Sequence, residues 1–444
     1  MNKKIIGLFI LAVCIAMAII YQPEKITIKL GVFSGSNWDV PSGESNQIVD
    51  NAIKIFEEIH PNVKVKYESG ILKEDYSSWL ADKILTGDTP DVYIILEEDF
   101  SLLSSIGALK NLNSYILKDK NFDEQEYYKS VLEAGTYNGY QYALPYECDP
   151  TLMFVNKTLL QKEGIEIPNN DWTLDDFYEI CQKVTRDSNN DGIIDQYGCY
   201  DYDWLDSIYS HGIQIFNDQG TKCDLSQDSV KESITFVQKI NNLNQGHIVS
   251  SDEFDKGQVA FSPMPLSQYR TYQPYPWKIK KYSRFEWDCV KMPTHAKNVE
   301  NSEVSTLLMG ISSRSKHDSL AWDLLKTLTY NQQSQAKLVE YSQGLSPLKT
   351  VVESKATINL LKEESGDSQV SLNLLNEVME NTTSHGKFKK YESALDLINT
   401  RVDQIILNND DLDTSLTKLQ KELKRRYLRS RRLRRRPRNS PCLP

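Results

Sequence analysis

The chain has 444 residues, enough for two domains, and its 40% hydrophobic content supplies apolar side chains for two cores. Twelve of the 51 lysines and arginines lie between Lys418 and Arg438, so the rest of the chain carries 39 basic against 60 acidic residues, a net charge of −21. A body this acidic disfavours nucleic acid as a partner and suits an exported protein that binds a neutral or cationic small solute.

The N-terminus has the charge pattern of an export segment. Two lysines precede an apolar run from Ile5 to Tyr21, the order found in secretory signals. Its 17 residues are at the lower limit for spanning a bilayer, so an uncleaved anchor stays open. Cys14 ends a stretch that resembles a bacterial lipobox, and residues 16–18 offer a rival small-x-small cleavage site. We predict a signal or anchor segment over residues 1–23 that leaves the protein outside the cytoplasmic membrane, held by a lipid or by the helix.

Cysteine usage gives no evidence of a disulfide framework or a metal site. The seven cysteines include no C-x-x-C pair, and their number is odd; they stand at positions 14, 148, 181, 199, 223, 289 and 442. We therefore predict that the central five are buried, unpaired thiols.

The mature domain begins with a strand and a polar loop. Residues 26–33 alternate apolar and polar side chains, as a half-buried strand does, and a Ser/Gly-rich loop follows that contains Trp38. An indole in such a loop is suited to stack on a sugar ring, but it could equally cover the edge of a core. Both interpretations of Trp38 stay open.

The next segments predict a β-α-β unit and a cluster of acids. Residues 48–60 have helical spacing of apolar side chains, and Val63 to Tyr67 alternates as a second strand, so the sheet is parallel. A third strand, Val92 to Leu96, is followed by Glu97 and Glu98. Ligands of open α/β sheets bind at the carboxyl ends of strands, so we expect these two acids to accept hydrogen bonds from ligand hydroxyls. Asp99 is instead predicted to cap a helix.

The stretch from Gly139 to Lys157 is predicted to connect two lobes. It reads as a strand that stops at Pro145, an acidic break, and a second, buried strand over residues 152–155. The break would display side chains into the gap between the lobes. Its candidate ligand-binding residues are Tyr146, Glu147 and Asp149.

A loop rich in Asp and Asn predicts a structural calcium ion. Positions 1, 3, 5 and 9 carry oxygen side chains, position 6 is a glycine and position 7 would offer a carbonyl oxygen, which suits Ca²⁺. The candidate ligands are Asp187, Asn189, Asp191, Ile193 and Asp195. Position 12 is Gly198 rather than the usual Glu, so a bidentate carboxylate would have to come from elsewhere in the chain. The alternative is an Asn/Asp-rich turn without metal.

Several motifs in a consistent order resemble the extracellular solute-binding proteins of bacterial ABC sugar transporters, the group named family 1. These motifs are F-E-E-x-x-P-x-V-x-V at Phe56, G-x-x-P-D-V at Gly87, G-x-x-Y-A-L-P at Gly139, a strand ending in Asn156-Lys157, F-x-x-G-x-V-A-F at Phe254, and G-I-S at Gly310. The resemblance covers residues 26 to 424.

The resemblance implies a type II periplasmic-binding-protein-like fold, with two α/β lobes, a ligand cleft and hinge crossings. Lobe 1 would comprise residues 24–145 and about 304–346, and lobe 2 residues 146–303 and about 347–424. Hinge crossings are expected near Pro145, between Pro293 and Val304, and near Gly344 to Pro347. The tail over residues 425–444 contains nine arginines, a composition typical of disorder.

The resemblance also implies a function without turnover. The protein would capture a carbohydrate, most simply an oligosaccharide, by lobe closure as a monomer and deliver it to the permease subunits of an ABC transporter. Family positions add Trp204, Tyr269 and Trp277 to the expected cleft aromatics. Two alternatives stay open: a surface-anchored glycan-binding adhesin or sensor, and a glycosidase that uses two carboxylates. No motif of a hydrolase triad, zinc protease or nucleotide-binding loop is present.

Overall fold

The computed structural model describes residues 25–40, 45–217, 220–272, 285–296, 302–365, 371–383 and 388–428. The N-terminal export segment with Cys14, the aromatic Trp277 and the arginine-rich tail beyond residue 428 lie outside the described residues. In the part that is described, no helix has the length and apolar composition needed to cross a membrane.

The first half of the chain builds a β-α-β sheet as predicted. Its elements are β1 (Ile26–Gly31), α1 (Ser45–Ile59), β2 (Val63–Tyr67), α2 (Lys73–Thr86), β3 (Val92–Ile95), α3 (Glu97–Ser105), α4 (Asn113–Lys118), α5 (Lys129–Ala134), β4 (Thr136–Tyr137) and β5 (Tyr140–Gln141). Strand β1 lies between β2 and β3 and is parallel to both. The side chain of Asp99 lies in the first turn of α3 and accepts a hydrogen bond from Ser77, while the N-cap position belongs to Leu96. The prediction that Asp99 caps this helix is therefore wrong.

The middle of the chain adds further strands to the same sheet. Its elements are β6 (Ala143–Asn156), α6 (Lys157–Lys162), α7 (Leu174–Val184), β7 (Tyr197–Cys199), α8 (Trp204–Ser210), α9 (Asp228–Leu243), α10 (Ser251–Asp255), β8 (Val259–Pro265), α11 (Leu266–Tyr272) and β9 (Trp287–Val290). The C-terminal part adds β10 (Ser302–Ile311), α12 (Asp318–Thr329), α13 (Gln332–Tyr341), α14 (Lys349–Val352), α15 (Lys355–Ser365), α16 (Leu372–Glu380), β11 (Thr382–Thr383), α17 (Tyr391–Asn408) and α18 (Leu412–Arg426). The strand order along the main sheet is β2-β1-β3-β10-β6-β8-β7, so β6, β7 and β8 lie on the far side of β10 from β3.

Strand β6 is a single 14-residue strand, so the predicted break at Pro145 is wrong. Its first half pairs antiparallel with β10, and its second half pairs with β8 and β9. Proline cannot donate to a strand ladder, yet Pro145 is tolerated because the register with β10 shifts between Leu307 and Leu308, beside its partner position. The residues after Pro145 are therefore buried inside a continuous strand instead of being displayed at a chain break.

Two large apolar cores lie at opposite ends of β6. The first contains buried residues from positions 28 to 146 and from 307 to 351. The second contains buried residues from positions 153 to 292 and from 388 to 423. A smaller cluster, which includes Cys148, Val304 and Leu345, lies between them. This arrangement supports a two-lobed division, although the exact boundaries given above stay a prediction.

The cysteines confirm one further expectation. All five in the described part of the chain, at 148, 181, 199, 223 and 289, are free and buried. Burial raises the pKa of each of these thiols, which makes them poor nucleophiles.

Candidate functional site

Acidic residues from three elements lie near Tyr209, where the two halves of the sheet join. Helices α3 and α8 both pack against β10. Helix α3 begins with Glu97 directly after β3, and β10 carries Glu303, which is only partly buried. Burial raises the pKa of Tyr209 in α8, and the carboxylates of Glu303 and Glu97 lie close enough to raise it further. Glu97, predicted from the position of β3, thus lies near this junction, while the neighbouring Glu98 is exposed.

Two aspartates at the start of α8 complete this acidic group. Asp203 and Asp206 form a capping box: Asp203 accepts hydrogen bonds from the Leu205 and Asp206 amides, and Asp206 accepts one from the Asp203 amide. Desolvation is the main cause that raises the pKa of Asp203 to about 6; the amide hydrogen bonds that it accepts oppose the rise, and the nearby Glu303 and Asp201 contribute to it. The Asp203 side chain is nevertheless exposed and that of Asp206 is half-buried. Both carboxylates are surrounded by protein and still reach solvent. Such surroundings are typical of a crevice. We call Glu97, Asp203, Asp206 and Glu303 the cleft carboxylates.

Sequence reasoning missed three of these four residues. The segment around Asp203 is acidic and aromatic, and the ligand-binding residue predicted in it is Trp204. The D-x-x-D spacing of a capping box indicates only the start of a helix. Nothing in the sequence around Glu303 distinguishes it from other acids on strands. Only the packing of α8 against β10 brings it beside Asp203.

The predicted acids of β6 are buried and accept hydrogen bonds. Glu147 has no exposed surface and accepts hydrogen bonds from Asn37 Nδ2, Ser342 Oγ and the Gly344 amide. Asp149 is 3% exposed and accepts a 2.9 Å hydrogen bond from the Ser267 amide at the start of α11. We call Glu147 and Asp149 the hinge carboxylates, because they lie where the two halves of the sheet join.

Burial also controls the protonation of the hinge carboxylates. Desolvation raises the pKa of Glu147, and the hydrogen bonds that it accepts oppose that rise. The pKa of Asp149 is raised to about 7, mainly by desolvation and in part by the nearby Glu147, while hydrogen bonding from Ser267 and the charge of Arg270 oppose the rise. Their substrate-binding role stays a prediction.

The predicted aromatic residues differ in their access to solvent. Trp38 is partly buried, and its indole nitrogen is buried beside Glu147. Trp204 is 1% exposed and donates a 3.2 Å hydrogen bond to Asn399. Tyr146 and Tyr269 are also buried, at 3% and 2%. Of these four rings only that of Trp38 has a substantial open surface, and the stacking roles of the others stay predictions.

In the predicted calcium loop, side-chain oxygens accept hydrogen bonds from the amides of the loop itself. Both oxygens of Asp187 accept hydrogen bonds from loop amides, those of residues 189–192, and these bonds lower its pKa. Asn189 and Asp191 accept amide hydrogen bonds in the same way, and Asp195 accepts from Ser188. Ile193 is exposed. Among the described residues no group of three or more His, Cys, Asp or Glu side chains is arranged to hold a metal ion. Calcium binding stays a prediction.

A separate hollow of about 470 Å³ lies among α7, α9 and the end of α8. It is lined by His211 and His295, whose rings stack with centroids 4.8 Å apart. None of the predicted binding residues and none of the cleft carboxylates lines this hollow. It is a feature of the second half of the sheet alone.

Comparison with known proteins identifies a family and a fold. A family described as "Bacterial extracellular solute-binding protein" matches residues 51–362. An ABC transporter extracellular-binding protein of Pyrococcus horikoshii is 27% identical over 166 residues, which are 37% of this chain and 35% of that protein. The maltotriose-binding protein of Pyrococcus abyssi is 28% identical over 131 residues, which are 30% of this chain and 26% of that protein. The matched segments thus span about a third or less of these curated relatives.

The fold itself matches over nearly the whole chain. The sugar-binding protein MalE of Xanthomonas citri superimposes with a TM-score of 0.74 at 15% identity, covering 90% of this chain and 96% of the other. At this identity the comparison concerns the fold alone. It confirms the predicted α/β fold with two lobes.

Proposed function

Because the chain belongs to the bacterial extracellular solute-binding proteins, we propose that it captures a carbohydrate between its two lobes and delivers it to an ABC transporter. Membership of the family implies an extracytoplasmic location. Its members and structural neighbours are binding proteins rather than enzymes, so we further propose that the captured solute is released unchanged.

The observation that carries this proposal is the position of the cleft carboxylates. They come from both halves of the sheet: Glu97 follows β3, and Asp203 begins α8. Carboxylate oxygens accept hydrogen bonds from sugar hydroxyls, and Trp38 offers a partly open indole at the same carboxyl edge of β1 and β3. Acceptors on both sides of a junction favour closure around the ligand, since each lobe gains contacts only when the cleft closes.

The relatives support the choice of ligand class. One is named for maltotriose, and the structural neighbour is named as sugar-binding. We therefore propose a neutral oligosaccharide as the ligand and the permease subunits of an ABC transporter as the partner. An adhesin or sensor with the same fold would also bind a glycan, but it would not need to close.

Thermal unfolding of the full chain against a panel of mono- and oligosaccharides, including maltotriose, tests the proposal. A ligand that binds only the native state raises the melting temperature. Glu97→Gln should reduce that rise, and the matched control Glu58→Gln, an exposed glutamate in α1, should not. If no saccharide shifts the melting of the folded wild-type protein, the carbohydrate proposal fails.

We also propose that the N-terminal segment keeps the protein at the membrane surface. The proposal rests on the sequence order of lysines, apolar run and Cys14. Mass spectrometry of the protein extracted from membranes of an expressing bacterium is the test. Lipidation predicts a diacylglycerol mass on Cys14 that Cys14→Ala removes, an uncleaved anchor predicts the intact N-terminus, and recovery of a trimmed chain in the medium contradicts both.

A further inference from the structure

The loop that carries Trp38 is held by a carboxylate that does not reach the cleft. Glu147 is completely buried, and its Oε2 accepts a 2.5 Å hydrogen bond from Asn37 Nδ2. Its Oε1 accepts hydrogen bonds from Ser342 Oγ and, at 3.0 Å, from the Gly344 amide. A single side chain in β6 therefore joins the loop after β1 to the turn after α13.

The packing around Gly344 shows how closely these parts approach. A Cβ atom at this position would lie 2.4 Å from Glu147 Oε1 and 2.4 Å from Trp38 Nε1. Such distances are too short for any side chain, so the close approach requires glycine. The indole nitrogen of Trp38, the carboxylate of Glu147 and the backbone of Gly344 thus occupy one small volume.

The turn from Ser342 to Gly344 is also hydrogen-bonded to helix α11. Arg270 in α11 is 7% exposed and donates hydrogen bonds to the carbonyl oxygens of Ser342 and Gly344, at 3.0 and 2.9 Å. Asp149, two residues after Glu147, fixes the start of α11 through the Ser267 amide. If α11 moves during closure, Arg270 therefore transmits that movement to the turn from Ser342 to Gly344, to which Glu147 is also hydrogen-bonded.

We propose that Glu147 is a positioning residue that couples the Ser342–Gly344 turn, and through it α11, to the orientation of the Trp38 indole. In this proposal a positioning role replaces the ligand contact predicted for Glu147, because its side chain is completely buried. This inference rests on the proposed function only in its second part, that Trp38 contacts the solute. The first part, that Glu147 sets the position of the indole, holds with or without a ligand.

The NMR signal of the Trp38 indole N–H in the ligand-free protein tests the first part, with the signal assigned by Trp38→Phe. Glu147→Gln places an amide donor against Asn37 Nδ2, so either the Asn37 amide rotates or the contact is lost, and the Trp38 signal should shift and broaden. The double variant Asn37→Asp with Glu147→Gln restores a donor facing an acceptor and should return the signal toward its wild-type position.

A matched control exists elsewhere in the first core. Asp119 accepts a 2.9 Å hydrogen bond from the indole N–H of Trp322. Asp119→Asn should shift the Trp322 signal and leave that of Trp38 in place. If Glu147→Gln does not fold, Asn37→Ser removes the same contact while Glu147 remains, and it should shift the Trp38 signal in the same way.

Saccharide affinity tests the second part. The loss of one positioning hydrogen bond should weaken binding about fivefold, and the double variant should recover most of it. An unmoved Trp38 signal in both Glu147→Gln and Asn37→Ser overturns the inference, as does weakened binding without a shift. A shifted signal in a protein that binds no saccharide, wild-type included, leaves the coupling intact and refutes the proposed function instead.

Discussion

The hinge carboxylates and the cleft carboxylates are chemically the same groups in different surroundings. Glu147 and Asp149 are buried in β6 with amide and hydroxyl donors around them. Asp203 has a pKa raised by the same cause, desolvation, yet it remains exposed. A raised pKa alone therefore does not identify a binding group. The difference lies in whether a ligand can reach the oxygen atoms.

The largest effect should come from removing a hinge carboxylate. Glu147→Ala leaves the Asn37 amide, the Ser342 hydroxyl and the Gly344 amide without their buried acceptor. We expect the free energy of unfolding to fall by about 2 to 4 kcal/mol. Urea denaturation measures this change. Glu98→Ala, at an exposed position, should change it by less than about 0.5 kcal/mol, and equal losses in the two variants would refute the distinction between buried and open acids.

The second hinge carboxylate should affect stability in the opposite direction. The pKa of Asp149 is about 7 in the folded protein against a usual value of 3.8, so the native state binds a proton more tightly. Its ionisation therefore costs stability progressively as the pH rises from about 4 through 7.

Asp149→Asn keeps an oxygen to accept from the Ser267 amide and removes that cost. We expect the variant to be more stable than wild type at pH 8 by at least about 1 kcal/mol and nearly equal to it at pH 4. Urea denaturation at the two pH values checks this. A constant difference across the range would show that Asp149 does not titrate as described.

A cleft carboxylate should change binding more than folding. Asp203→Asn retains the helix cap, because asparagine is an equally good N-cap residue. It removes a charged acceptor from the cleft, so we expect about fivefold weaker saccharide binding by calorimetry. The matched control is Asp411→Asn, at the N-cap of α18. A larger loss of affinity in the control than in Asp203→Asn would contradict the cleft assignment.

The smallest effect concerns the loop from Asp187 to Asp195, which belongs to neither group of acids. If it binds Ca²⁺, millimolar Ca²⁺ should raise the melting temperature by a few degrees and EGTA should reverse this. Asp187→Asn should abolish the shift, while Asp224→Asn, in a loop without this pattern, should keep it. No shift in the wild-type protein would refute the calcium prediction.

Local patterns predicted much of the fold. The alternation in Val63–Tyr67 matches β2 residue for residue, and the helical spacing before Pro61 matches α1, because both depend on neighbours within a few positions. The strand break at Pro145 was predicted wrongly because its tolerance depends on the register with β10, which is more than 150 residues away in the chain. Long-range pairing of this kind leaves no trace in the local sequence.

The candidate site was predictable only in part. Glu97 follows from the rule that ligands bind at the carboxyl ends of parallel strands. Trp204 has the residue type of a stacking group, but its ring is buried and its N–H is bonded to Asn399, a partner from α17. Whether an acid or an indole faces solvent or the core is decided by tertiary packing, and the sequence around Glu147 and Asp203 does not contain that information.

Small-angle X-ray scattering of the full chain, with and without the saccharide that raises its melting temperature most, tests the central claim most directly. Capture by lobe closure predicts that the radius of gyration falls on ligand addition, and that Asp203→Asn requires more ligand for the same change. Saturating ligand binding with an unchanged radius of gyration would contradict closure and favour the glycan-binding adhesin or sensor.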